Sequence, residues 1–255
     1  MYRMLIAGVF AVALFTNALA VDVLLVRTSS IYDNTSAIAA VLTAGGHNVT
    51  IVDDLGNGIT IPNNTQVIFL QGYLHFATAT QVANWLSQQS GRGLVTTEWV
   101  VWYDGGFSSL ANVLPVTTNR NYSYPSSVTY TQVTADPLMN ANLPASFSFS
   151  SGVGGVTRFA AKQGATVFYA ENYFNGVGVA GWELSSGARV VSINAVAQDN
   201  DSLNSPEFRQ LLVNAVTWAA AGREPCRLEG DVNGDNVVNN ADLLIVLFNF
   251  GRSCP

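Results

Sequence analysis

Val21-Asp22-Val23-Leu24-Leu25-Val26-Arg27 is a short, almost unbroken apolar run. It suits a strand buried on both faces of a parallel sheet, where no alternation with polar residues is needed. Downstream, Asn34 or Ser36 is placed to cap a helix through Leu42, which Gly45-Gly46 would stop. Residues 47–52 read as a second strand and 66–70 as a third, ending at Gly72. Residues 80–89 carry an amphipathic helix with Val82, Trp85 and Leu86 on one face, and residues 93–97 read as a fourth strand. Strands joined by helices predict right-handed crossovers and a mainly parallel α/β sheet with helices on both faces.

Beyond Gly105 the pattern loosens. Residues 122–133, rich in Ser, Thr, Tyr and Val, suit a β excursion. Residues 167–170, 177–184 and 188–193 read as later strands, the last two flanking a hairpin turn at Ser185-Ser186-Gly187. Ser205-Pro206-Glu207 supplies a cap, a proline at the first helical position and an early acid for a helix through Trp218, ending at Gly222. A connector through Pro225 leads to a short tail, and no internal repeat is visible.

Upstream of Val21, Arg3, the apolar run from Met4 to Phe15 and Ala18-Leu19-Ala20 form the three parts of a secretory signal, with a mature chain beginning at Val21. The run is short for a membrane anchor, the alternative reading. The expected destination is extracytoplasmic, secreted or at the cell surface. The chain carries 17 acids against 11 bases, and loss of Arg3 takes its net charge from −6 to −7. Lys162 is the only lysine and no basic run exists, which argues against a nucleic-acid partner.

In the tail, Asp231-Val232-Asn233-Gly234-Asp235-Asn236-Val237-Val238-Asn239-Asn240-Ala241-Asp242 places side-chain oxygens at positions 1, 3, 5, 9 and 12 of a twelve-residue loop, followed by an apolar helical stretch. Ca²⁺ takes six to eight hard oxygen ligands, and this spacing wraps them around one ion. The expected ligands are Asp231, Asn233, Asp235, the Val237 carbonyl, Asn239 (directly or through water) and Asp242. An Asn/Asp-rich turn without metal is the plainer alternative. Cys226 and Cys254, the only cysteines, bracket this module. In an oxidising compartment they are expected to form a disulfide, with two free thiols as the alternative. About thirty residues cannot bury enough surface to be stable alone, so such supports are expected.

Three stretches of the body resemble the class I glutamine-amidotransferase-like superfamily, in particular its trehalose-utilisation-like branch. Asp136-Pro137-Leu138-Met139-Asn140-Ala141-Asn142-Leu143-Pro144 is similar to that branch's HP-(I/L)-x-x-G-L-P segment. Gly187-Ala188-Arg189-Val190-Val191 is similar to its G-x-G-R-V strand, and Asn214-Ala215-Val216-Thr217-Trp218 to its closing N-A-(I/V)-x-W helix. The resemblance implies a flavodoxin-like sheet over residues 21–222. It does not carry activity across. Catalytic members place a cysteine at the turn after a central strand, beside a histidine; here that turn reads Glu98-Trp99, and the only histidines are His47 and His75. After the strand ending at Ile193 that branch usually has a Gly-His pair, where this chain reads Asn194-Ala195. A Cys–His nucleophile therefore lacks both partners.

Glu98 and His75 are the remaining candidates for chemistry, both expected near the crevice at the sheet's C-terminal edge. Asp104, Glu171 or Glu183 would have to approach Glu98 to make a glycosidase pair. Otherwise Glu98 is a hydrogen-bonded structural acid. Trp99, Trp102 and Tyr103, with Tyr73 and Trp85, are candidates for a sugar-stacking surface or for core packing.

The tail resembles one type I dockerin repeat, Gly230-Asp231-Val232-Asn233-Gly234-Asp235 followed by Asp242-Leu243-Leu244. Dockerins anchor exported proteins to cohesin domains, so the resemblance implies a cohesin-like or cell-surface partner. Asn236 stands where the loop usually has glycine, and dockerins carry two repeats where this chain has one. The reading is a signal peptide (1–20), a catalytically silent amidotransferase-like domain (21–222) and a calcium module for attachment or assembly (223–255). The rivals are a carbohydrate-active hydrolase delivered by the same tail and a ligand-binding domain that recognises without turnover.

Overall fold

A computed structural model describes residues 20–28, 34–103, 108–222 and 240–249. The signal segment, Asp104, both cysteines and the loop ligands Asp231, Asn233, Asp235, Val237 and Asn239 lie outside the described residues. None of the described helices is long and apolar enough to cross a membrane.

The apolar run becomes β1 (Asp22–Arg27), and its alternation explains the layers. Val23 and Leu25 point into one core with Val67, Phe69, Val95 and Val191, while Leu24 and Val26 point into a second core with Ile68, Leu70, Leu94 and Val190. Helices α1 (Thr35–Ala44) and α5 (Pro206–Ala220) cover the first face through Ile38, Leu42, Phe208, Leu211 and Leu212. Helix α2 (Phe76–Gln88) covers the second through Val82, Trp85 and Leu86, and the single turn α4 (Ser108–Ala111) adds Leu110. Strands β2 (Asn48–Asp53), β3 (Val67–Leu70) and β4 (Gly93–Thr96) join β1, as the sequence predicts.

The main sheet has nine strands. With β6 (Val128–Gln132), β7 (Ser146–Phe149), β9 (Thr166–Glu171), β10 (Gly176–Glu183) and β11 (Arg189–Ile193), the order is β2-β1-β3-β4-β11-β10-β9-β6-β7. The first five are parallel, in the flavodoxin-like order. From β11 onward the pairings are antiparallel. The parallel expectation thus holds for half the sheet; the rest is an antiparallel extension that the local pattern announces only as a β excursion. The hairpin between β10 and β11 forms as read, with the Leu184 N–H donating to Ala188 O at 2.8 Å and Gly187 at φ 81°. Strands β5 (Val116–Ser123) and β8 (Val156–Ala161) form a separate antiparallel pair.

The last helix of the body is capped as expected: the Ser205 hydroxyl accepts from the Phe208 amide at 3.1 Å. In the tail, the described residues form helix α6 (Asn240–Asn249), which includes the expected ligand Asp242.

Candidate functional site

The three motif-bearing stretches meet in space, around α5. Asn214 donates from its amide to Met139 O (3.0 Å) and Ala141 O (2.8 Å). The Trp218 indole donates to Asp136 Oδ2 at 3.1 Å, and the Arg189 guanidinium lies 4.8 Å over the Trp218 ring. Asp136 Oδ1 also accepts from the Leu138 and Met139 amides, both at 2.9 Å. Asn142, just before Leu143-Pro144, takes φ 58°, a conformation asparagine tolerates better than most residues. Arg189 pairs in register with Gly93, so this cluster sits at the N-terminal edge of β4. It is a packing constellation with no open centre.

Glu98 lies at the opposite edge. β4 ends at Thr96, and the chain turns through Thr97 into the short helix α3 (Glu98–Trp102). The Thr97 hydroxyl holds the turn by donating to Gln71 O at 2.9 Å. Glu98 is 2% exposed. Its Oε1 accepts from the Thr157 hydroxyl, and its Oε2 has no hydrogen-bond partner among the described residues. Burial raises the Glu98 pKa from 4.5 to about 8, with the Thr157 hydrogen bond opposing.

Thr157 arrives on β8, which closes over the crevice. The Thr157 N–H donates to Asn194 O at 2.9 Å, the Asn194 amide donates to Thr157 O at 3.1 Å, and Val156 bridges Ala195. Behind this seam the buried Tyr130 hydroxyl donates to Asn194 Oδ1 at 2.5 Å. Burial and the neighbouring Glu171 charge hold the Tyr130 pKa well above its usual value. The Thr96 and Ser192 hydroxyls pair at 2.8 Å beneath. Asn194-Ala195, standing where the resemblance would place Gly-His, therefore seals the edge.

Of the three proposed carboxylate partners, Asp104 lies outside the described residues, and the other two are committed elsewhere. Glu171 accepts from the Tyr173 (2.7 Å), Phe174 (3.0 Å) and Gly176 (2.9 Å) amides, fixing the β9–β10 turn. It belongs to a strand three places from β4, about 14 Å along the sheet. Glu183 pairs with Arg189 at 3.3 Å, on the N-terminal edge, away from Glu98. His75 is the residue before α2 and half-exposed; its Nδ1 lies 3.2 Å from Asp54 Oδ2. Asp54 also accepts from the His75 amide (2.8 Å), the Thr78 hydroxyl (2.7 Å) and the Gly56 amide (3.1 Å). Burial opposes ionisation of Asp54, but these bonds together outweigh it and hold the pKa below the ordinary carboxylate range. His47 is buried with Nδ1 accepting from the Val21 amide and Nε2 facing Val213 O, each at 3.4 Å; burial lowers its pKa despite the Val213 bond. It is a structural histidine.

Among the described residues no group of three His, Cys, Asp or Glu side chains could hold a metal. Of the residues that define the surroundings of Glu98, Asn194 is marked in the sequence only as a departure from the resemblance, and Thr157 and Tyr130 carry no signal: Thr157 lies 59 residues from the acid it contacts.

Aromatic rings gather above the sealed edge. Tyr73 and Tyr103 have ring centroids 4.6 Å apart, Tyr103 and Trp102 4.8 Å, Trp102 and Tyr122 6.2 Å, and Tyr122 and Tyr124 5.5 Å. Trp99 flanks Trp102 at 5.8 Å. Trp85 instead packs into the core beneath α2.

No family model matches the chain, and no curated protein matches it. Among solved structures it is similar to a ThuA-like protein from Bacteroides uniformis, with 14% identity, TM-score 0.59, and 78% of this chain and 91% of that one covered. PurLQS from Thermotoga maritima is similar at 10% identity and TM-score 0.55, covering 78% and 99%. An exo-beta-1,4-mannosidase from Opitutaceae bacterium strain TAV5 is similar at 14% identity and TM-score 0.50, covering 80% of this chain but 36% of the enzyme. The chain thus spans about a third of the mannosidase. At these identities the likeness concerns the fold alone: the body shares the α/β fold of these proteins.

Proposed function

We propose that the chain is an exported, non-catalytic α/β domain carrying a calcium-binding, dockerin-like module for attachment to a cohesin-like or cell-surface protein. The observation that carries the first half is the sealing of Glu98. A carboxyl kept protonated at neutral pH is neither a nucleophile nor a general base. It could serve as a general acid, but at 2% exposure, under β8, no substrate reaches it. The hydrolase reading needs a second carboxyl within roughly 5–10 Å; Glu171 and Glu183 are held elsewhere, which leaves it Asp104, outside the described residues.

The attachment half is supported by the sequence and by α6. The donor set Asp231, Asn233, Asp235, Val237 carbonyl, Asn239 and Asp242 is all oxygen, which suits Ca²⁺. α6 covers the last loop positions and the apolar stretch after them, where such a loop has its exit helix. Leu243, Leu244, Val246 and Leu247 on it are exposed, as an attachment helix would require. Bound calcium would fix the loop against this helix.

Calcium titration calorimetry on the mature chain tests the module. One site is expected, lost in Asp231→Ala/Asp242→Ala; unchanged affinity in that variant refutes the ligand assignment. Glutaminase and aryl-glycosidase assays test the body. No turnover is expected, and any rate that falls in Glu98→Gln overturns the non-catalytic reading.

A further inference from the structure

Glu98 is sealed, yet the surface above it is built from separate parts of the chain. Tyr73 follows β3, Trp102 and Tyr103 close α3, and Tyr122 and Tyr124 lie at the end of β5. These segments converge at the C-terminal edge of the parallel strands, where open α/β folds bind their ligands. Tyr73, Tyr122 and Tyr124 are 38%, 45% and 49% exposed. Large half-exposed rings in a continuous row are not explained by packing alone.

The backbone is shaped to complete the row. The β5–β8 register shifts between Thr118 and Tyr122, and Arg120 within that bulge takes φ 61°. A non-glycine residue in the left-handed region costs energy and marks a segment held in place by its surroundings. Here the Trp102 indole donates to Arg120 O at 3.2 Å, and the Arg120 guanidinium lies 5.5 Å from the Trp102 ring. The bulge re-aims the strand so that Tyr122 and Tyr124 extend the line begun by Trp102. At its far end the Ser123 and Tyr173 hydroxyls pair at 2.8 Å.

The chemistry of the row selects the ligand. Stacking surfaces for single-stranded nucleic acid combine aromatic rings with a positively charged groove. This chain has a net charge of −6, and the cation in the row, Arg120, already lies on Trp102. A polyanion is disfavoured. What fits is a neutral molecule with flat C–H faces for the rings and hydroxyls for the tyrosine, serine and asparagine groups beside them, Asn119 and Asn121 included. Those are the properties of a pyranose chain; because the Trp102–Tyr122 and Tyr122–Tyr124 planes cross at 89° and 88°, a sugar unit lies face-on to one ring and borders the next with its edge.

We propose that the row Tyr73, Tyr103, Trp102, Tyr122 and Tyr124 is a binding platform for a neutral oligosaccharide, which stacks pyranose rings on the exposed rings of Tyr73, Tyr122 and Tyr124. Recognition needs no reactive group, so the platform is compatible with a silent Glu98 and goes beyond the attachment role of the tail.

The test is tryptophan fluorescence and calorimetry on the full mature chain. The probes are neutral hexasaccharides of β-1,4-glucose, α-1,4-glucose, β-1,4-mannose and β-1,4-xylose, each to about 5 mM, several times a millimolar Kd. At least one is expected to bind, with the affinity falling at least tenfold in Tyr122→Ala and again in Tyr122→Ala/Tyr124→Ala. Both side chains are exposed, and unchanged far-UV circular dichroism and melting verify that the variants fold. Asp231→Ala/Asp242→Ala should bind the sugar as the parent does, which separates failure of this platform from failure of the calcium module. Absence of binding by all four probes, binding unaffected by the tyrosine variants, or tighter binding of adenosine or oligo(dT) than of any sugar overturns the proposal.

Discussion

Replacing Glu98 by glutamine should make the protein more stable at neutral pH, by an amount that grows with pH. The native carboxyl titrates near 8 against 4.5 in the unfolded chain, so above pH 4.5 the unfolded state binds fewer protons than the native one. Stability is then fully present below pH 4.5 and is lost as pH rises towards 8. Integrated, this group removes about 1 kcal/mol at pH 5, about 3 kcal/mol at pH 7 and about 4 kcal/mol at pH 8. That is a large share of a typical folding free energy of roughly 5–15 kcal/mol. Glutamine has the same shape and no charge: its Oε1 can still accept from Thr157. Urea unfolding followed by tryptophan fluorescence at pH 5, 6, 7 and 8 measures the difference. The variant should gain on the parent by about 1.4 kcal/mol per pH unit through the middle of this range. A difference independent of pH, or a variant less stable than the parent at pH 8, would show that Glu98 is ionised and paired in the native state, and the case for a silent body would fall with it.

Asn214→Ala removes the donor shared by Met139 O and Ala141 O, in a side chain that is 4% exposed. We expect a loss of about 2–3 kcal/mol in urea unfolding, while calcium and sugar binding at the other sites stay unchanged. Gly93→Ala would place a Cβ 2.6 Å from Ala219 O, on the backbone of α5. Because neither strand nor helix can yield locally, a further loss of about 2 kcal/mol or more is expected in the same assay; a neutral result would mean that β4 and α5 are less closely packed.

How much of this is legible in the sequence depends on where each element finds its partners. β1, β3 and β4 are buried on both faces, so their residues must be apolar and the runs announce themselves. α5 carries its own start signal in Ser205-Pro206. α2 does not: it begins at Phe76, four residues before the predicted Thr80, because Asp54, 21 residues upstream, holds the His75 amide. Asn34 precedes α1 as expected, yet its side chain makes no cap; its amide pairs with Gln198, 164 residues away. β5 is polar along its exposed length, Thr117 to Asn121, and gives no apolar pattern to read. No local pattern announces its partner β8, and β8 decides the fate of Glu98. The position of Glu98 after the fourth strand is a local fact and could be read; its burial is a tertiary fact and could not.

The same division explains why the resemblance reaches the fold and stops short of a function. Its three stretches, around Asp136, Arg189 and Asn214–Trp218, form one cluster of hydrogen bonds and stacked rings at the N-terminal edge of β4. What they specify is how α5 and the segment before β7 dock onto the sheet. Chemistry in an open α/β fold takes place at the other edge, where this chain has Glu98, Thr157 and Asn194 locked together and a row of aromatic rings above them. A scaffold held at one edge places no demand on the residues at the other. The likeness to proteins as different as PurLQS and a mannosidase, each at 14% identity or less, is what such a separation produces. The function of this chain therefore has to be argued from its C-terminal edge and its tail, the two parts the resemblance to the amidotransferase-like fold does not describe.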